Sequence, residues 1–464
     1  MNTKTKISFV IPILFSLVTL IVTLNRTPFW DETHAFEISR LNFFEILYLT
    51  RIEGHNILWY LILKPFSALK LYPYSMLIIN WLFMASGIFV LWKKAPFDIF
   101  SKILITFSTP FLLYFAPVAR CYSIGILFLF LICANFSLRY KKPCFFSMLL
   151  LICSNTSIMT LIPCFYLWIM YLFQLFKKKT KKFKISFMFF VLNIILLLIQ
   201  FAGVLRPYNS QSDHNNFVSM LAHFLVFPKA DYFYTTIFHI CVFMLFYYSI
   251  FYFFKKSKTI LYLFLTSYLS LTFLFCFVYG ASFWNHYFYY VYFVFLHWLF
   301  YRQISSNKII KYLSVCVFVF CCFPCFLFED GEIPMVYSSN SKEIAKIISN
   351  DIDKTNAVFY CLDWWSDISP ASDLYFKKND ITIFDVFHND RTSFESIKQI
   401  FYYRIMPLDI EEFYNSLDKT KKNYIITDGT FFKMNKTKSK SDYYFKYILL
   451  KKELKFGVFE IVKK

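Results

Sequence analysis

Cysteine is nearly missing from the last part of this chain: of 12 cysteines, only Cys361 lies beyond residue 328. Neither a disulfide framework nor a zinc site can be assembled there. No segment recurs at a fixed period, which excludes solenoids and repeat arrays. Glycine is scarce, with 8 in 464 residues, and no Gly or Pro break stands out within the apolar segments, which argues against a carrier built on discontinuous helices. Charge is lacking over long runs: residues 1–327 are apolar blocks with short polar breaks, whereas 328–464 reads like ordinary soluble protein. What is present in their place is 58% hydrophobic and 23% aromatic residues, including 63 Phe. With a mean hydropathy of +0.49, that surplus needs lipid as its solvent.

The net charge of +20 does not indicate nucleic acid, because the Lys and Arg before residue 328 lie in short clusters between apolar blocks. That arrangement is the positive-inside pattern of membrane proteins. Cys321, Cys322 and Cys325 fall inside the apolar run VCVFVFCCFPCFLF and read as packing residues rather than a metal site.

A bilayer core of about 30 Å takes about 20 apolar residues per helix. Spans are expected near 7–24, 74–92, 99–116, 121–137, 144–157, 159–176, 185–205, 234–254, 259–279, 287–301 and 311–327. Lys93–Lys94, Arg139 with Lys141 and Lys142, the run KKKTKKFK at 177–184, Lys255–Lys256, and Arg302 with Lys308 fall in every second loop, together with the N-terminus. Those loops are expected to be cytoplasmic, which places 25–73, 206–233 and the tail outside. The stretch 55–70 is short and carries Lys64 and Lys70, so it is expected to lie along the membrane surface. Residues 31–50 are expected to form a second amphipathic helix, with Leu41, Phe44, Leu47 and Tyr48 on one face. The expected fold is thus an α-helical polytopic membrane protein of about eleven helices at 1–327, followed by an extracytoplasmic α/β domain at 328–464. Helices are expected near 341–350, 370–377 and 392–403, and strands at 355–362, 380–386, 422–428, 444–450 and 455–462.

Ionisable residues beside lipid are functional candidates by default. The richest cluster is in the first outer loop, with Asp31 and Glu32 after Pro28 and Trp30, then Glu53 and His55. Asp31 has a plain alternative as a helix N-cap. Arg120 and Tyr122 stand at the exit of the third span, and His286 and Tyr287 at the start of the tenth. Carboxylates, histidines and an arginine on one face suit an anionic lipid headgroup, with or without a divalent metal ion.

Three motifs carry a resemblance. DETHAFEISR at 31–40, EGHNILWYLILKP at 53–65 and ARCYS at 119–123 resemble, in order and spacing, motifs of the GT-C glycosyltransferases that use polyprenyl-phosphate sugars, such as bacterial aminoarabinose transferases and relatives of protein O-mannosyltransferases. The resemblance implies an inverting sugar transfer to an extracytoplasmic glycolipid, polysaccharide or protein acceptor. It implies Asp31 as catalytic base, with Glu32 and Glu53 near the donor phosphate or a metal ion. His55 matches the motif histidine, and Arg120 falls where the family binds phosphate. Asn56 and Ile57 stand where the family has two prolines, and His286–Tyr287 where many members have Arg-Tyr. A lipid-linked oligosaccharide carrier or flippase, an O-antigen polymerase or ligase, and a receptor or structural protein are the competing classes. The polymerase class keeps its key arginines in a late outer loop, and 206–233 holds only Arg206, with Lys229.

Overall fold

The computed structural model describes residues 3–28, 30–53, 55–69, 74–201, 258–275, 287–301, 308–320, 341–354, 356–361, 381, 383–385, 417, 419–427, 443–451 and 456–463. The expected span at 234–254, the loop 206–233, the helices near 370–377 and 392–403, and Cys321, Cys322 and Cys325 lie outside these residues. By chain contacts the molecule divides into two compact units. One comprises Met1–Leu24, Thr50–Trp59 and Tyr74–Val336, the other Asn25–Leu49, Tyr60–Pro73 and Tyr337–Lys464. The second unit therefore takes in most of residues 25–73 as well as the tail.

Up to residue 320 every described element is helical. Helix α1 (Thr3–Asn25) precedes α2 (Trp30–Arg40), α3 (Phe43–Glu53) and α4 (Leu58–Ala68), of which α2 and most of α3 and α4 belong to the second unit, and then come α5 (Tyr74–Lys94) and α6 (Ile99–Thr106). After these follow α7 (Tyr122–Ala134), α8 (Pro143–Ser154), α9 (Ile158–Lys177), α10 (Lys182–Phe201), α11 (Lys258–Phe273), α12 (Tyr287–Leu299) and α13 (Lys308–Phe320). Four segments, Ile7–Asn25, Tyr74–Lys94, Ile158–Lys177 and Lys182–Phe201, are long and apolar enough to cross a membrane, consistent with a membrane protein. Their outer faces support this: α1 exposes Val10 by 57% and Ile21 by 62%, and α10 exposes Met188 by 63% and Leu198 by 64%. Rows of exposed apolar side chains are tolerated where lipid covers them. Helix α4 spans 11 residues, about 16 Å at 1.5 Å per residue.

One expected span is broken. Residues 99–116 do not form a continuous α-helix: α6 stops at Thr106, and a single π-helical turn runs from Pro110 to Phe115. Pro110 has no N–H to give the carbonyl four residues earlier, so the ladder cannot continue through it. Asp98 caps the start of α6 by accepting from the Ser101 N–H at 2.9 Å, and Lys311 of α13 lies 3.4 Å from its carboxylate. Burial pushes the Asp98 carboxyl up, but the Ser101 hydrogen bonds and Lys311 outweigh it and hold the group below its ordinary value.

Another expected helix, at 31–50, is two. Asn42 separates α2 from α3 by accepting from the N–H groups of Phe44 and Glu45 at 3.0 and 3.1 Å, while Glu45 accepts from the Asn42 N–H at 2.9 Å. This is a reciprocal capping box, and it resets the helical phase. Ile46, Leu49 and Thr50 are buried while Phe44 is 77% exposed, so the apolar face expected through Phe44 is not the one that packs.

In the second unit, α14 (Ser341–Asp351) leads into a mixed five-stranded sheet of order β2-β1-β3-β5-β4. Strand β1 (Ala357–Cys361) pairs in parallel with β2 (Ile383–Asp385) and β3 (Lys422–Thr427). Strand β5 (Phe456–Lys463) pairs antiparallel with β3 and with β4 (Tyr443–Lys451). Ile344, Ile348 and Ile352, at helical spacing, bury against Phe359, Tyr424, Ile426 and Val458. Burial and the neighbouring Glu460 and Asp353 carboxylates raise the Tyr424 phenol above its ordinary value.

Close helix approach in the first unit depends on Gly125. A Cβ there would meet Thr160 Cγ2 at 2.7 Å and Thr156 Oγ1 at 2.9 Å, whereas at Gly87 it would meet nothing nearer than 3.6 Å. Small residues at such crossings let helices pack in lipid. Gly125→Val is expected to destabilise by about 1–3 kcal/mol through overpacking, and Gly87→Ala to leave the unfolding midpoint in detergent near that of the parent. Equal midpoints for both variants would show that α7 has room at Gly125.

Candidate functional site

The break after α6 exposes backbone carbonyls in an apolar setting, where each must find a donor. Asn80 of α5, fully buried, supplies one. Its Nδ2 donates to the carbonyls of Phe115, Ala116 and Val118 at 3.1, 3.0 and 2.8 Å. The Ser123 hydroxyl also donates to Phe115 O, and the Arg120 N–H to Val118 O at 3.0 Å. The loop between the π turn and α7 is thereby clamped from both ends, and Arg120 is the residue it presents.

Arg120 is only 8% exposed, and its Nη2 lies 2.9 Å from His55 Nε2. A guanidinium only donates, so Nε2 accepts and the imidazole carries its proton on Nδ1. The guanidinium carbon also lies 6.0 Å from the Tyr122 ring centroid. Tyr122 packs against Tyr114, Phe115 and Phe288 at 6.4, 6.1 and 5.2 Å between centroids. Tyr287 reaches the same Tyr114 and Phe115 at 5.8 and 6.3 Å. His55, Arg120, Tyr122 and Tyr287 thus share one neighbourhood, a cation on a neutral imidazole backed by aromatic rings. A planar guanidinium fixed in this way matches the oxygens of a phosphate.

The segment carrying His55 is held by amide side chains. Arg51 Nε donates to Ile199 O at 2.9 Å, Asn56 Nδ2 to Ser154 O at 3.0 Å, and the Ile57 N–H to Gln200 Oε1 at 3.0 Å. Gln200 in turn donates to Asn155 Oδ1 at 2.8 Å, and Asn155 to Asn193 Oδ1 at 2.9 Å. Proline at either position would lose one of these bonds, since it has no N–H for Gln200 and no side-chain donor for Ser154.

Asp31 and Glu32 belong to the other unit, in the first turn of α2. Helix α2 begins at Trp30, so Asp31 stands one residue inside it rather than at the N-cap, still within the turn where a carboxylate is favoured by the helix dipole. Glu32 is fully buried and forked onto Arg26, with Arg26 Nη1 donating to Oε2 at 2.8 Å and Nη2 to Oε1. His286 lies outside the described residues, as does the Glu53 side chain. Among the described residues no group of three or more His, Cys, Asp or Glu could hold a metal ion, and His55 Nε2 faces Arg120.

Arg26, Asn80 and Gln200 were not singled out from the sequence. The available signal was chemical: Asn80 is the only amide side chain in its span, and a lone amide among apolar residues marks a helix–helix or helix–loop bond. The chain matches no family model, no curated protein and no solved structure.

Asn80→Leu keeps most of the volume but removes the shared donor from three carbonyls. It is expected to lower stability in detergent by about 1–3 kcal/mol. Ile57→Pro should cost a similar amount while Ile57→Ala, which retains the N–H, should cost less. Unfolding midpoints that rank Ala and Pro equally would show that the Gln200 bond contributes nothing.

Proposed function

We propose that this protein is a membrane glycosyltransferase of the GT-C type, moving a sugar from a polyprenyl-phosphate donor to an extracytoplasmic glycolipid, polysaccharide or protein acceptor. The observation that most supports the reading is the His55–Arg120 contact at 2.9 Å, which brings together two motifs far apart in the chain. In this reading Arg120, oriented by His55, holds the phosphate oxygens of the donor, with Tyr122 and Tyr287 beside it. Asp31 takes the acceptor hydroxyl proton as the acceptor oxygen bonds to the anomeric carbon. The anomeric carbon–oxygen bond to phosphate breaks with its electron pair leaving on the phosphate, and a single displacement inverts the anomeric centre. Glu32, engaged by Arg26, anchors the start of the helix that carries Asp31. No step is routed through a metal ion.

The protein is placed by this reading in the cell membrane, with about eleven spans, a cytoplasmic N-terminus and the sheet-bearing tail outside. The basic loops support that orientation. A reporter active only in the cytoplasm, fused after Lys464, should stay silent, and a strong signal would reverse the assignment of the tail.

A carrier for the same anionic lipid is the second reading, favoured by the helix break between Thr106 and Pro110, since discontinuous helices line substrate paths in transporters. Proteoliposomes separate the two readings. A transferase consumes donor and yields glycosylated acceptor on one side, whereas a carrier moves intact donor across.

Asp31→Asn is nearly isosteric. With Asp31 as the base, the variant should fold and bind polyprenyl-phosphate sugar, while transfer drops at least about 10²-fold. Arg120→Ala should weaken donor binding more than Arg120→Lys, because lysine keeps the charge but not the fork. Normal turnover by folded Asp31→Asn protein would take Asp31 out of the mechanism.

A further inference from the structure

The connections from α7 to α8 and from α9 to α10 concentrate positive charge and contain no carboxylate. Between Asp98 and Asp213 the sequence contains no Asp or Glu. Arg139 to Lys142 and Lys177 to Lys184 are nevertheless drawn into one patch. Tyr140, at the end of the 3-10 turn Phe136–Tyr140, is its centre. The Arg139 guanidinium carbon lies 4.4 Å and Lys178 Nζ 4.1 Å from the Tyr140 ring centroid, and Lys182 Nζ donates to Tyr140 O at 2.6 Å. The Tyr171 hydroxyl donates to Arg139 O, and the Tyr140 hydroxyl to Gln174 Oε1 at 2.5 Å. Lys179, between α9 and α10, adopts φ 49°, a left-handed conformation that costs a side-chain-bearing residue energy. It turns the chain so that Lys177–Lys178 and Lys181–Lys182 both stand at this patch.

Three cations around one tyrosine repel each other, and among the described residues no carboxylate pairs with them. The arrangement calls for an external anion. Its apolar surroundings say which kind. Phe173, Phe176, Phe187 and Met188, within two helical turns of the lysines, are 55%, 65%, 46% and 63% exposed. Helices α9 and α10, which end and begin at this patch, are both long and apolar enough to cross a membrane. A soluble anion would use the cations alone, whereas a phospholipid uses the cations and the exposed rings below them.

We propose that Arg139, Lys178 and Lys182, gathered on Tyr140, form a binding site for the phosphate headgroup of an anionic phospholipid whose acyl chains lie along α9 and α10. Each basic residue near an anionic lipid surface adds about a factor of five in affinity, so removal of three charges should weaken binding on the order of a hundredfold.

The test uses the full-length protein in nanodiscs of phosphatidylcholine with or without phosphatidylglycerol of the same acyl composition. Native mass spectrometry after transfer to detergent counts retained lipid. The parent should retain phosphatidylglycerol and not phosphatidylcholine, inorganic phosphate should fail to displace it, and the Arg139→Gln, Lys178→Gln, Lys182→Gln variant should lose it. Equal retention of the two lipids, or undiminished phosphatidylglycerol on a folded variant, would overturn the proposal. Displacement by inorganic phosphate would also overturn it, showing a site for free anions. Should the triple variant not fold, Lys178→Gln alone is measured, and it must lower phosphatidylglycerol retention severalfold for the proposal to stand.

Discussion

A backbone carbonyl freed from its helix in an apolar medium has no water to turn to, and in this protein a buried amide side chain takes water's place. Asn80 does so for three carbonyls after the break at Pro110, and the consequence runs outward from there. Because Phe115, Ala116 and Val118 are held, the loop that follows has a fixed exit and Arg120 a fixed origin. The same solution recurs on the other side of the pair, where Asn56, Gln200, Asn155 and Asn193 tie the His55 segment to the ends of α8 and α10. The Arg120–His55 contact is what remains when both strands of chain have been secured by amides. Removing one partner from a buried bond of this kind leaves the other unpaired, which gives single substitutions here large effects.

The two ends of the bundle solve the problem of charge beside lipid differently. On the Arg120 side a single guanidinium is held between an imidazole and a tyrosine ring. At the Tyr140 end, cations accumulate around an aromatic ring with no opposing carboxylate. The first arrangement is compact and buried, and the second is broad and open. That contrast matches the difference between holding one ligand in a defined geometry and meeting a surface.

Long apolar runs such as 74–92 and 159–176 were legible because their length exceeds what any soluble helix needs, and the strands of the tail because their β-branched and aromatic residues sit between polar breaks. The sequence also carried His55, Arg120, Tyr122 and Tyr287 as ionisable or aromatic residues at the ends of apolar runs. The break in 99–116 was harder to see, since Pro110 sits among residues as apolar as those of an unbroken span, and composition does not record a lost hydrogen bond. The division of 31–50 was written in the sequence as Asn42-x-x-Glu45, but apolar periodicity across it outweighed the capping signal. Arg26 and Asn80 escaped notice for a different reason: each is a single polar residue whose meaning depends on a partner that only folding brings within reach.

The fork between Arg26 and Glu32 has one more implication, for the order in which the chain takes shape. The partners are six positions apart, so closing the loop between them costs little entropy, and they leave the ribosome almost together. The contact can therefore form while the rest of the protein is still being made. A turn whose opposite charges meet this early has that pair balanced before the helices that follow it exist.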